Sequence, residues 1–135
     1  MPTYPIRVRY AETDQMGVVH HSAYVVWLEE ARVRYLEELG LDYAELERRG
    51  VYFPVTELFL SYRRPLRFGQ VARVEVELFE VKSRRVAFSY RVLTPEGELA
   101  AKGHTSHVPQ DAAGRAVRLP GWVHERLLRA LGGDS

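Results

Sequence analysis

The chain contains no cysteine and no asparagine, and Lys82 and Lys102 are its only lysines. Without cysteine there is no disulfide, no thiolate metal site and no cysteine nucleophile. Charge of one sign is lacking as well: 19 Lys+Arg stand against 18 Asp+Glu, a net +1 with the histidines neutral. Acids and bases are interleaved, so no basic stripe draws the chain to nucleic acid or to anionic lipid. No run approaches the ~20 apolar residues of a membrane-spanning helix. The opening Met-Pro-Thr-Tyr-Pro-Ile-Arg lacks the apolar core of a secretory signal, and a cytoplasmic location is expected. Repeats, linkers and low-complexity segments are missing too.

What is there has the composition of a folded protein, 46% hydrophobic and 27% charged over 135 residues. That length predicts one domain, 1–135, burying roughly two-thirds of the surface its unfolded chain exposes. Such a chain is too small to enclose a long ligand unaided. A large substrate is therefore expected to use a subunit interface.

Residues 4–10 alternate apolar and polar side chains, as a half-buried strand does. A polar stretch closed by Gly17 follows. Tyr24, Leu28, Ala31, Tyr35 and Leu39 then repeat at three-and-four spacing, with Trp27 widening the stripe, which predicts a helix over 22–39. Ser22 is the expected N-cap and Gly40 the expected stop. A shorter helix is expected over 42–49, ending at Gly50. From residue 53 the period changes to two, predicting strands over 55–63, 71–81, 86–94 and 99–108. Ala72, Val74, Val76 and Leu78 against Arg73, Glu75 and Glu77 give the clearest alternation. Thr94-Pro95-Glu96-Gly97-Glu98 reads as a hairpin turn, and 122–131 as a closing helix. One strand, one long helix and about four strands joined by short turns imply an antiparallel sheet, which needs an apolar partner on one face. The long helix is the only candidate, so the expected class is α+β, a helix lying across a curved sheet.

Chemistry concentrates in Tyr10-Ala-Glu-Thr-Asp14-Gln-Met-Gly17-Val-Val-His20-His21-Ser-Ala-Tyr24. A carboxylate stands in the turn after a strand, and seven residues later the chain enters a helix. A helix start offers unpaired N–H groups and partial positive charge, which polarise a carbonyl and hold an oxyanion. A nearby carboxylate supplies a nucleophile or a general base. Two readings of Asp14 stay open on these residues: a catalytic group, or a turn residue bonding local backbone amides. Glu12 reads as a solvated turn residue. A zinc site at His20-His21 is disfavoured, since neighbouring side chains diverge and no third ligand follows at helical spacing. His104 and His107 are three apart on one strand.

The run Tyr10–Tyr24 with the following Val25-Val26-Trp27-Leu28-Glu29-Glu30-Ala31-Arg32 resembles the 4-hydroxybenzoyl-CoA thioesterase-like hotdog family, and within it the acyl-CoA thioesterases associated with the bacterial Tol–Pal system. The resemblance extends over 5–108, including Tyr62-Arg63-Arg64-Pro65-Leu66 and Gly69. It implies a hotdog fold, a long central helix wrapped by a curved antiparallel sheet of about five strands, and an acyl-CoA thioesterase without metal or cofactor. By the same resemblance Asp14 matches the essential carboxylate, His21 the residue whose amide faces the thioester oxygen, and Tyr10 a tyrosine bordering the pocket. It also implies subunits joined sheet edge to sheet edge with active sites between them, in a dimer of dimers. Two positions depart from the pattern: Glu12 replaces the usual aspartate, and His20 replaces an aromatic residue.

An acyl-CoA substrate carries phosphates. The turn Lys82-Ser83-Arg84-Arg85 is the first candidate to meet them, with Arg63 and Arg64 second, because the arginine fork suits phosphate. Trp27, Met16, Tyr24 and Phe59 are candidates to shape the acyl pocket. Two other function classes share the pattern: a hotdog hydratase or dehydratase acting on an acyl thioester, and a non-catalytic module binding acyl chains or a protein partner.

Overall fold

Period-two alternation becomes pairing in the computed structural model, which describes residues 2–132. Strand β1 (Thr3–Arg7) buries Tyr4 and Ile6 and exposes Thr3, Pro5 and Arg7. Helix α1 (His21–Glu38) and the short α2 (Tyr43–Arg48) come next. Strands β2 (Val55–Tyr62), β3 (Val71–Lys82), β4 (Arg85–Leu93) and β5 (Leu99–His107) follow, and α3 (Gly121–Gly132) closes the chain. Each strand and helix lies within two residues of its expected bounds, except that β1 stops at Arg7.

All strands pair antiparallel in one sheet of order β1-β3-β4-β5-β2. This departs from a simple succession of neighbours, because β2 does not pair with β3. The segment 63–70 carries the chain across one end of the sheet instead. Arg63 N and Arg64 N donate to Ala100 O (2.7 and 3.1 Å), Val19 N to Leu66 O (2.9 Å) and Val8 N to Gln70 O (2.9 Å). These bonds clasp the crossover to the loop before α1 and deliver β3 beside β1. Alternation within a strand reports which face is apolar and carries no information about which strand lies next to it. The remaining turns are short. Ser83-Arg84 alone links β3 to β4, and the Thr94–Glu98 hairpin is closed by Thr94 N to Glu98 O (2.8 Å) with Gly97 at φ +88.

One face of the sheet wraps α1. Ala72, Val74, Val76, Val92 and Ala101 from the strands and Trp27, Leu28 and Ala31 from the helix are almost completely buried there. Each fully buried Leu or Val side chain contributes about 1.5–3 kcal/mol. The helix ends at Leu39, with Gly40 at φ +81, a left-handed geometry that favours glycine. Arg126 Nη1 from α3 donates to Leu39 O (3.2 Å) and Gly40 O (3.0 Å), a cation at the negative helix end.

A buried polar chain ties the middle of α1 to the sheet. Arg32, 3% exposed, donates to Tyr90 Oη (3.1 Å), which pairs with Thr105 Oγ1 (2.7 Å). Thr105 Oγ1 meets His107 Nε2 (2.9 Å), whose Nδ1 lies 3.2 Å from Phe53 O. Burial first, then the Arg32 charge, pushes the His107 imidazole down from 6.5 to about 4. The unfolded imidazole takes up a proton near 6.5 and the folded one only near 4, so acid favours the unfolded chain between those values. Stability from this residue is complete above pH 6.5 and lost as the pH falls through 4, a drop of roughly 3 kcal/mol. Urea unfolding of the protein and of His107→Gln at pH 7 and pH 4 checks this. The parent chain is expected to lose about 3 kcal/mol more than the variant on acidification; equal losses would exclude His107 as the cause.

Candidate active site

Beyond β1, Arg9 caps a single 3-10 turn, Tyr10–Glu12, and the chain then doubles back in a tight hairpin. Thr13 bridges Val19, Asp14 N donates to Val18 O (2.8 Å) and Gly17 N to Asp14 O (2.9 Å). Gly17 sits at φ +79, which lets the loop close in so few residues. The Asp14 side chain takes part: Oδ1 accepts from Met16 N (2.8 Å) and Val18 N (3.2 Å). Among the described residues nothing hydrogen-bonds to Oδ2. Oδ1 thus holds the turn, while Oδ2 is free of protein partners among the described residues.

Four residues beyond the loop tip, the helix begins. His20, not Ser22, is the N-cap residue (φ −62, ψ 145), and Ser22 lies inside the first turn. The shift has a local cause, because His20 N is held by Glu12 O (2.8 Å), which fixes the last extended residue two positions before Ser22. Ala23 N turns back to His20 O (3.1 Å), and no side chain caps the end. The His21 and Ser22 amides have no intrahelical acceptor and carry the positive end of the helix dipole. Asp14 and His20 line one open depression of 470 Å³ together with Tyr10, Ala11, Thr13 and Gln15.

Tyr10 is 77% exposed at the rim of this depression and meets Phe68 edge-to-face at 5.7 Å. The His21 ring lies outside the depression's lining, stacked on Tyr62 at 4.1 Å and 17°. Tyr62 Oη donates to His21 O (3.3 Å), and its ring meets Tyr24 edge-on at 5.2 Å. Burial, then the neighbouring Tyr62, pushes the Tyr24 phenol up to about 12, so it stays protonated. Tyr62 thereby clamps the helix start from β2, a role its strand position gave no sign of. Arg67 likewise carries no sequence signal: it bridges Val18, and its Nη1 lies 3.4 Å from Met16 O on the Asp14 loop.

Glu12 corrects the expectation of a solvated turn residue. It is 8% exposed, and its carboxylate accepts from Arg9 N (2.9 Å), Arg9 Nη2 (3.2 Å) and Trp27 Nε1 (3.0 Å). Burial opposes its ionisation, but the hydrogen bonds from Arg9 N, the Trp27 indole and the Arg9 guanidinium outweigh it and hold the carboxyl below its ordinary value. Of the residues expected to shape a pocket, Trp27 and Tyr24 are buried against the helix base and Met16 is exposed at the loop tip. Phe59 stacks on His104 at 5.4 Å, on the sheet face opposite the one Tyr62 presents to α1. His107 faces the core and His104 the other side. Among the described residues no group of three or more His, Asp or Glu is placed to hold a metal.

The basic turn is not brought to Asp14 within one chain. Lys82, Arg84 and Arg85 stand at the sheet end marked by His107 and Val55, while α1 starts at the Tyr62 end. Seven residues of β2 separate these ends, about 23 Å. Arg85 is engaged there with Glu80 (2.8 Å), Ser106 Oγ (2.8 Å) and Glu57 (3.4 Å), and Lys82 with Glu80 (3.2 Å). Arg84 is exposed and has no ion pair among the described residues. Arg63 and Arg64 lie at the Asp14 end, Arg64 near Glu98 (3.7 Å).

Residues 8–127 match the family model described as the thioesterase-like superfamily. YneP of Bacillus subtilis, named as a candidate acyl-CoA thioesterase, is 40% identical over 106 residues, 78% of this chain and 77% of its own. Among solved structures, TT1821 of Thermus thermophilus superposes with a TM-score of 0.91 at 52% identity, covering 95% of this chain and 98% of that one. The DHNA-CoA thioesterase of Staphylococcus aureus superposes with a TM-score of 0.89 at 32% identity, covering 95% and 89%. No helix among the described residues is long and apolar enough to cross a membrane.

Proposed function

The chain belongs to the thioesterase-like superfamily, and from that premise we propose that it is an acyl-CoA thioester hydrolase working where the Asp14 turn meets the start of α1. One observation carries the proposal: a carboxylate oxygen without a protein partner shares an open depression with the N-cap of an uncapped helix. The thioester oxygen docks against the His21 and Ser22 amides, which stabilise the negative charge it gains on attack. Asp14 Oδ2 either attacks the acyl carbon, expelling thiolate and leaving a mixed anhydride for water to open, or takes a proton from a water that attacks the same carbon. In both routes the C–S bond breaks and one water is consumed, its protons and oxygen balancing the release of the free acid and the CoA thiol. Tyr10 borders the acyl group at the rim.

We further infer that the working unit is a homo-oligomer, built as a dimer of dimers. Strand β2 is a sheet edge, and Val55, Leu58, Phe59 and Tyr62 on it are 38–50% exposed. An apolar edge strand recruits a partner strand. Antiparallel pairing of β2 with its copy about a two-fold axis sets the Val55 end of one chain beside the Tyr62 end of the other. Lys82, Arg84 and Arg85 of the second copy then stand at the same end of the sheet as the Asp14 depression, three strand spacings, about 14 Å, from the Tyr62 end of the first chain's β2. That span suits the extended nucleotide of CoA, so the basic turn reads as a phosphate rim acting across the interface. The cysteine-free composition suits a cytoplasmic location, and one shared core from Tyr4 to Leu127 supports treating 1–135 as a single catalytic unit.

Thiol release measured across short aliphatic, long aliphatic and aromatic acyl-CoAs tests the activity. Stoichiometric free thiol with no change in chain unsaturation is expected for at least one class. Altered unsaturation without thiol would assign a hydratase, and tight acyl-CoA binding without either change would assign a binding module.

A further inference from the structure

We propose that Glu12 is a positioning residue for thioester cleavage, locking the Asp14 turn to helix α1 so that the reactive carboxylate and the helix-start amides keep one fixed geometry. This rests on the hydrolase reading given above. Glu12 stands where three pieces of chain meet. Its carbonyl holds His20 N (2.8 Å), the N-cap residue, and its carboxylate holds Trp27 Nε1 (3.0 Å), the seventh residue of α1. The same carboxylate holds Arg9 N (2.9 Å), the residue from which the 3-10 turn springs.

Two attachments separated by about 10 Å along the helix set the rotation and axial position of its first two turns relative to the Asp14 loop. The Arg32–Tyr90 bond and the buried face hold α1 to the sheet, but the Glu12 carboxylate is what ties the helix side chain of Trp27 to the loop carrying Asp14, two residues beyond Glu12. The reacting atoms need that register, because an ångström of misplacement costs on the order of a hundredfold in rate. The length of the acid matters too, since its two oxygens reach opposite ways. Oε1 serves Arg9 N, while Oε2 serves Arg9 Nη2 and the Trp27 indole.

Glu12→Gln must turn an amide N–H toward either Arg9 N or Trp27 Nε1, setting donor against donor and breaking one tie. Trp27→Phe keeps an aromatic ring in the core and removes only the indole donor and part of the ring volume. Both variants are expected to lower kcat roughly 10- to 100-fold with KM within about twofold. Tyr90→Phe serves as the control. It deletes a buried hydrogen bond to the middle of the same helix, through Arg32, and is expected to lower the melting temperature while leaving kcat unchanged. In an Asp14→Asn background, Glu12→Gln should lower the residual rate no further, because the geometry it protects has lost its reactive group. If Glu12→Gln fails to fold, Trp27→Phe decides alone. Wild-type kcat in the foldable variants, or a loss that Tyr90→Phe reproduces, overturns the proposal while leaving the hydrolase reading intact. Undiminished thiol release by Asp14→Asn overturns both.

Discussion

Asp14→Asn lowers kcat for acyl-CoA hydrolysis by about a thousandfold or more and leaves the melting temperature close to that of the parent chain. The size follows from what the change removes. An amide nitrogen neither attacks an acyl carbon nor accepts a proton at neutral pH, so both routes open to Oδ2 close together. The stability follows from what the change keeps. The amide oxygen still accepts from Met16 N and Val18 N, as Oδ1 does, so the loop holds its shape. KM should move little, because the His21 and Ser22 amides that receive the thioester oxygen are untouched. Asp14→Ala separates the two functions, since it loses the loop bonds as well and should add a stability loss of about 1–2 kcal/mol to the same loss of rate. Thiol-release kinetics with thermal unfolding on all three proteins reads both effects. Asn at wild-type rate would mean that Asp14 only builds the turn.

Leu58→Asp gives a protein that sediments as a monomer and hydrolyses acyl-CoA about a hundredfold more slowly. Leu58 lies at the middle of the exposed edge strand, 43% exposed on the face that Tyr62 presents to α1. A two-fold axis through the middle of β2 would bring each new carboxylate close to its symmetry mate, where like charges repel. The folded monomer should persist, because an exposed side chain leaves the pairing of β2 with β5 intact. Activity should fall because, on the proposed pairing of two β2 strands, the monomer lacks the second copy's basic turn at the Asp14 end of the sheet. Sedimentation velocity and thiol release on the same sample check both halves. A monomer with full activity would confine the site to one chain and remove Lys82, Arg84 and Arg85 from it.

The elements were legible in the sequence wherever a pattern is local. Ala72 through Leu78 alternate because they lie on a pleated strand, and Tyr24 through Leu39 recur at helical spacing because one side of α1 is buried. Neither pattern specifies neighbours, so the crossover at 63–70 that sets β3 beside β1 stayed hidden. The Asp14 turn was legible for a similar reason, as Gly17 and the nearby helix start are sequence-local signals. Ser22 looked like the cap because its hydroxyl suits one. The structure places the cap two residues earlier, where the Glu12 carbonyl holds His20, a contact across eight residues. Glu12 itself looked solvated because acids in polar turns usually are. Only the folded chain brings it to the indole of Trp27, fifteen residues on, and converts a charge at the surface into a buried tie. The role of Tyr62 depends likewise on the end of β2 meeting the start of α1.

The infrared stretch of the thioester carbonyl in acyl-CoA bound to the Asp14→Asn protein probes the helix-start amides without turnover. Two amides aimed at that oxygen should weaken the C=O bond, and the band is expected to shift to lower frequency than in free acyl-CoA. A bound thioester whose carbonyl band stays at the free position would contradict the account, since its oxygen would then lie away from the start of α1.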